Sequence, residues 1–426
     1  MSPSREKSIR VGGYSYPAKG YDGRFEKPTP DVLVDIANNE LINSRIERVQ
    51  PAHIPFLPNY KNPCWFEEVE ASTAYTGNVY SYFKDRDHRI RPAFERFKNV
   101  LLNRQKRDGN AWLLRCIPYF YLVGAPRCGT TDIYSKMILH PEIPHQIGKE
   151  TVYWNRARYL MSQVVGTRPI PPEFKVPLSL RHYVEWFDTP AEDIRSTVDK
   201  GSNDLPQHNL ILGDFSPSYM YDFDAWRYVP SNEDSPNFIV ADMIKTINPD
   251  AKILFVFRNP IERLISDYLF WSPKNRKTPQ EFHELVEANL KMIDTCRATY
   301  AFRYCLHDRT THARQLPIRP RAGLYYTYMK EWFNVFPRNQ TLVVRFEDYR
   351  DERRSTLSQI FRFLGVQKMT AGWFSYVTSG QPKNQSQKDT FKGPMWNSTL
   401  SLLEEFYRPW NEKLADLLQD DKFLWR

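Results

Sequence analysis

Apolar runs of strand length, each closed by a turn signal, set the plan of this chain. Ile117–Val123 runs into Gly124, and Ile253–Phe257 is stopped by Asn259-Pro260. Thr341–Phe346 is a third such run, and a further strand is expected near Leu210. Short continuous apolar runs suit strands covered on both faces, as in a parallel sheet. Helical spacing separates them. Ile133, Tyr134, Met137 and Ile138 share one helix face, and Pro141 ends that helix. Pro260 opens another, with Ile261, Leu264 and Ile265 turned inward and Tyr268 and Leu269 one turn on. Further helices are expected over 323–336, 355–364 and 400–418. Strands alternating with helices predict an α/β fold, a central parallel sheet flanked by helices.

The first part of the chain reads differently. Residues 1–30 are polar, rich in Gly, Pro and Lys/Arg, and show no period. Helices are expected over 31–37 and 93–102. The division expected is an irregular, basic N-terminal extension over 1–110 and a main domain over 111–426. Pro- and charge-rich insertions near 161–206 and 272–320 are natural places for loops that bind a partner. No internal repeat occurs.

Charge changes the picture next. The 426 residues carry a net charge of +9 and 15% aromatics. A basic chain expects an anionic partner. From Lys84 to Arg107 there are nine Lys/Arg against three Asp/Glu, and Arg314, Arg319 and Arg321 form a second cluster. Of the five cysteines, Cys128 reads as a small packing residue. Cys296 and Cys305 are near enough in sequence to bridge, leaving Cys64 and Cys116 as a pair. No cysteine or histidine group has metal-ligand spacing. Sequons begin at Asn339, Asn384 and Asn397. No apolar run approaches the ~18 residues of a spanning helix.

Candidate chemistry begins at Gly124-Ala-Pro-Arg-Cys-Gly-Thr-Thr131. Strand, glycine loop and helix N-terminus together make a cradle for an anion. The Gly124 to Gly129 spacing is that of a Walker loop, but Thr130 stands where that loop has its lysine. Arg127, inside the loop, supplies the cation instead. Arg258, at the carboxyl end of its strand, offers a second fork for a phosphate, and Ser266 a hydroxyl to the same group.

Leu122–Tyr134 resembles the 5′-phosphosulfate loop of the carbohydrate sulfotransferases, which use 3′-phosphoadenosine 5′-phosphosulfate (PAPS). Ala251–Tyr268 resembles that family's 3′-phosphate strand and helix. Phe391-Lys-Gly-Pro394 with Phe406–Asn411 is similar to its closing loop and helix. The matches run in family order from 117 to about 415. They imply a sulfotransferase fold with a P-loop-like sheet, PAPS as co-substrate, no catalytic metal, and a sulfated polysaccharide rather than nucleic acid as partner. They also imply a Golgi setting, with membrane attachment through an anchor expected to be missing from this chain. The resemblance points to the glycosaminoglycan branch acting on the 6-hydroxyl of N-acetylgalactosamine 4-sulfate in chondroitin or dermatan sulfate.

Residue by residue, the resemblance implies donor binding by Arg127, Cys128, Gly129, Thr130, Thr131, Asp132, Arg258, Ser266, Lys392 and Gly393. Arg127 also stabilises the leaving group. Lys149-Glu150 is similar to the Lys-Glu pair of the heparan sulfate enzymes, so Glu150 is the expected base and Lys149 an acceptor contact. His145 is the substitute base. Asp214 and Ser216 are expected to orient the acceptor. Phe215 departs from the pattern: it stands where those enzymes carry a second lysine. Other readings stay open on the residues: another glycan acceptor, a P-loop kinase or NTPase, and a non-catalytic glycosaminoglycan-binding protein.

Overall fold

The structure, a computed structural model, describes residues 9–11, 14–16, 56–82, 87–160, 174, 176–200, 206–223, 226, 235–273, 277–307, 317–381, 391 and 393–426. The expected helix over 31–37 lies outside them, as do parts of the insertions near 161–206 and 272–320.

Strand β1 (Cys64–Glu68) pairs antiparallel with β2 (Trp112–Cys116), and α1 (Asp87–Asp108) lies between them in sequence. The chain then enters the central sheet through β3 (Phe120–Gly124) and α2 (Thr130–Met137). There follow β4 (Gly213–Phe215), α3 (Val240–Ile247), β5 (Lys252–Phe257) and α4 (Pro260–Trp271). Helix α5 (Pro279–Arg297), α6 (Tyr325–Val335), β6 (Thr341–Arg345), α7 (Arg353–Leu364) and α8 (Asn397–Leu418) complete the outline.

Pro118 delays the first expected strand to Phe120, and the strand expected near Leu210 begins at Gly213. Buried side chains fill every position of β3, and five of the six in β5. That is what a central parallel strand, covered on both faces, demands. The Trp332 ring of α6 meets Phe255 edge-on at 5.5 Å.

The sheet order is β6-β5-β3-β4, and all three pairings are parallel. From β3 the chain moves outward to β4; from β5 it moves outward to β6, on the other side. The order therefore reverses between β3 and β5. Open α/β sheets bind ligands outside the carboxyl ends of the strands at such a reversal. The loops after β3 and β5 flank that crevice.

The division expected near residue 110 is not a break in packing. Phe94, Phe97 and Leu101 of α1 belong to the same buried cluster as the central sheet. Cys64 and Cys116 sit opposite each other in the β1–β2 ladder and are disulfide-bonded. The second disulfide joins Cys296 and Cys305, and Cys128 is a free, buried thiol. No helix of the described residues is long and apolar enough to cross a membrane.

Candidate functional site

The loop after β3 is shaped by close packing. A Cβ on Gly129 would stand 2.6 Å from the Phe346 ring, and the residue has a φ of 75°. Both facts demand glycine. Gly129 is also the N-cap of α2. The first N–H groups of a helix have no carbonyl one turn back to bond, and the helix dipole adds positive potential there. Unpaired N–H groups of this kind are the ones an anion can satisfy.

Distant parts of the chain converge on this loop. Arg127 Nε donates to Ser266 Oγ of α4 at 3.2 Å, and its guanidinium lies 4.2 Å from the centre of the Phe270 ring. Lys149 Nζ donates to Thr131 Oγ1 at 2.7 Å and pairs with Glu150 at 2.8 Å. The Glu150 N–H donates to the Phe215 carbonyl at 3.0 Å, which fixes its segment against the end of β4. Lys149 thus supplies, from a separate segment, a cation beside a loop that lacks the Walker lysine. Phe215 itself packs edge-on against Phe120 and Tyr134 and carries no charge to the site.

Beneath the loop sits a charge cluster that sequence reading missed. Asp267, fully buried, accepts from Arg263 at 3.1 Å and from Arg319 at 2.9 Å. Burial pushes the Asp267 carboxyl up, but Arg319 and Arg263 more than offset it and hold the group below its usual value. Burial draws Arg127 below its usual value; Asp267 opposes that, while Arg319, Arg258 and Arg263 add to it. Against these four guanidiniums stand the buried Asp267 and, on Arg258, the exposed Glu262, so the corner keeps an excess of positive charge. The i,i+4 spacing of Arg263 and Asp267 was the available signal. Arg319 had no local signal, because its partner lies on another element.

The residues present suit an anionic nucleotide: a loop that tolerates no side chain at Gly129, open helix N–H groups, and clustered arginines. Cys128 is held inside the loop, where burial pushes its thiol up to about 11. It can contribute its backbone but not a nucleophile. Thr130 is buried and Thr131 half-buried at the first turn of α2. Arg258 is on the crevice, over the Phe346 ring, and donates to Glu262 at 3.0 Å. Its fork is therefore shared with an exposed carboxylate. Lys392 lies outside the described residues. Gly393 is exposed, two residues after Phe391, whose ring stacks on Tyr268 of α4 at 5.5 Å.

Several expectations are corrected. Asp132 faces inward: it is buried and accepts from the Tyr349 hydroxyl at 2.6 Å, so it does not reach the anion cradle. Asp214 and Ser216 are both fully buried. The Asp214 carboxylate accepts from Ser216 at 2.6 Å, Thr151 at 2.7 Å, and Tyr183 and Tyr219 at 2.9 Å each. With that set complete it does not orient an acceptor. Instead it braces Thr151, the residue after Glu150. His145 is exposed, with Asp193 as an electrostatic neighbour, and stays outside the joined set. Arg321 is buried and donates to the Leu306 carbonyl, and Arg319 is committed to Asp267, so neither extends a surface cluster. Arg314 lies outside the described residues.

Comparison with known proteins gives the family. Residues 118–390 match the model of the sulfotransferase domain. Mouse carbohydrate sulfotransferase 15 is 33% identical over 381 residues, which is 87% of this chain and 66% of that protein. The human protein of that name is 32% identical over the same span. Mouse heparan sulfate glucosamine 3-O-sulfotransferase 6 is 26% identical over 207 residues, 44% of this chain and 55% of that protein. Among solved structures, a sulfotransferase from Alicyclobacillus acidocaldarius aligns with a TM-score of 0.45 at 20% identity, covering 72% of this chain and 97% of that one. The chain spans about two thirds, 66%, of the length of the carbohydrate sulfotransferase 15 relatives it matches.

Proposed function

Because this chain belongs to the sulfotransferase domain family, we propose that it moves a sulfuryl group from PAPS to a hydroxyl of a glycosaminoglycan. The favoured acceptor is the 6-hydroxyl of N-acetylgalactosamine 4-sulfate in chondroitin or dermatan sulfate. The observation that carries the reading is the meeting at one loop of Arg127 with Ser266 and of Lys149 with Thr131 and Glu150. The carbohydrate sulfotransferase 15 relatives support the choice of a carbohydrate acceptor.

In this reading Glu150 takes the proton of the acceptor hydroxyl as that oxygen bonds to sulfur. The bond from sulfur to the 5′-phosphate oxygen breaks in line, and 3′-phosphoadenosine 5′-phosphate (PAP) leaves. Arg127 and the N–H groups of Gly129, Thr130 and Thr131 meet the charge gained by that phosphate, already aligned before the reaction. Lys149 orients Thr131 and Glu150 at once. Arg258 and Ser266 take the 3′-phosphate, with Arg258 exchanging Glu262 for it, and Lys392-Gly393 closes over the nucleotide. A Golgi lumenal setting, where PAPS and growing glycosaminoglycans meet, accords with this reading.

The test is transfer of label from radioactive PAPS to chondroitin sulfate A, chondroitin, dermatan sulfate, heparan sulfate and keratan sulfate. Label is expected on 4-sulfated galactosamine and is expected to fall at least ~100-fold in Arg127→Ala and Glu150→Ala. PAPS binding with label on heparan sulfate alone would overturn the acceptor. Absence of PAPS binding by folded protein would overturn the reaction.

A further inference from the structure

Helix α4 ends in two adjacent aromatic side chains that the fold leaves in solvent. Phe270 is 55% exposed and Trp271 58%. Their rings meet edge to face at 4.8 Å. Single exposed aromatics are ordinary on protein surfaces. This pair is placed differently. Ser266, one turn earlier on the same helix, accepts from Arg127 of the anion loop. Phe270 carries the Arg127 guanidinium over its face at 4.2 Å, and the Arg319 guanidinium lies 5.9 Å from the Trp271 ring. An aromatic edge therefore stands at the lip of the cradle, with a cation beside each ring.

An aromatic face attracts a guanidinium without neutralising its charge. Arg319 already has Asp267, and Arg127 has a hydroxyl and the crevice. A ligand that uses this edge has to offer apolar surface to the rings and negative charge to the arginines. A pyranose ring of an acidic glycan does both. Its axial C–H groups present a positive edge to the negative faces of aromatic rings. Its carboxylates and sulfates lie at the rim, within reach of guanidinium forks.

We propose that Phe270 and Trp271 form the acceptor subsite, receiving one sugar ring of an anionic glycan and holding it against Arg127. The inference rests on the sulfuryl-transfer reading above and adds the residues that recognise its acceptor. Phe270 has two tasks, since it also steadies Arg127. Trp271 stands near Arg319 and not against Arg127, so the two residues separate donor from acceptor effects.

The experiment compares the parent protein with Trp271→Ala and Trp271→Phe. Equilibrium binding of a chondroitin 4-sulfate hexasaccharide and of a heparan sulfate hexasaccharide is measured on protein saturated with PAP. PAP affinity is measured separately by calorimetry, and thermal unfolding checks the fold. Loss of a central aromatic anchor predicts a rise of about tenfold in the hexasaccharide Kd, and in KM, for Trp271→Ala. PAP affinity and kcat are expected to stay within about twofold, with most of the loss restored in Trp271→Phe. An unchanged hexasaccharide Kd in Trp271→Ala overturns the inference while leaving sulfuryl transfer intact. A loss of PAP affinity with unchanged glycan binding also overturns it, since it assigns the rings to the nucleotide base. A parent protein that binds PAP but neither hexasaccharide strikes the acceptor reading itself, and the subsite falls with it.

Discussion

Replacing Asp267 by asparagine removes the one negative charge shared by a buried arginine and a partly buried one. Arg263 and Asp267 are fully buried, and the Arg319 side chain is 29% exposed. At an effective dielectric of about 20, each close guanidinium–carboxylate pair is worth about 4 kcal/mol before desolvation. Asparagine keeps an acceptor oxygen for one arginine but leaves both cations without a counter-charge. Breaking a buried pair in this way costs about 3–5 kcal/mol. At roughly 2 °C per kcal/mol for a large domain, Tm is expected to fall by about 6–10 °C. The control is Glu262→Gln, which breaks an i,i+4 pair whose carboxylate is 46% exposed. Such a pair contributes less than about 1 kcal/mol, so its Tm should move by no more than about 2 °C. The pH dependence has a definite sign. A carboxylate held below its usual value stabilises the fold above the ordinary aspartate pKa of about 3.9 and loses that contribution as pH falls through the lowered value. The gap between parent and Asp267→Asn should therefore close below about pH 4. Differential scanning fluorimetry from pH 3 to 7 reads all of this. Equal Tm losses in the two variants, or a gap that does not depend on pH, would refute the account of Asp267 as the counter-charge of the cluster.

Other outcomes follow from single contacts. Gly129→Ala places a Cβ 2.6 Å from the Phe346 ring at a φ of 75°. PAP binding should be lost with far-UV circular dichroism unchanged, and Phe346→Ala should restore part of it; unaltered PAP affinity would show that the loop is not tightly packed. Cys128 is the free thiol, buried and pushed up to about 11. It should resist maleimide at pH 8 until urea is added. Since its pKa is raised in the fold, its contribution to stability is complete below about pH 8.5 and is lost as pH rises towards 11; rapid labelling of native protein would contradict its burial. The Cys64–Cys116 bridge spans a sequence separation of 52. Loop-closure entropy assigns it about 4 kcal/mol, so Cys64→Ser with Cys116→Ser should lower Tm by about 8 °C, and a shift under about 2 °C would speak against it.

Much of the fold could be read locally. Ile253–Phe257 is a strand because an unbroken apolar run of that length buries itself only between two covered faces. Asn259-Pro260 begins a helix in sequence and does so in the structure, where the Asn259 side chain caps the first turn. The glycine loop and Arg127 were visible for the same reason, since their meaning lies in adjacent residues. Lys149 and Glu150 were legible as a pair that the turn after the first helix could return to the loop, but the bond from Lys149 to Thr131 was not.

What the sequence by itself determined is therefore three of the four central strands, several of the helices that flank them, the anion loop and the near cysteine pair, because periodicity, backbone freedom and close spacing act over a few residues; the β1–β2 ladder and helix α5 were not legible. Tertiary structure alone decided the fate of the charged side chains. Asp214 and Asp132 read as site residues and became buried acceptors of hydroxyls; Arg319 read as surface charge and became the partly buried partner of a buried carboxylate. The physical reason is that a charge is tolerated in the interior only where partners surround it. Those partners come from elements far apart in the chain, brought together only when the sheet closes around its reversal between β3 and β5.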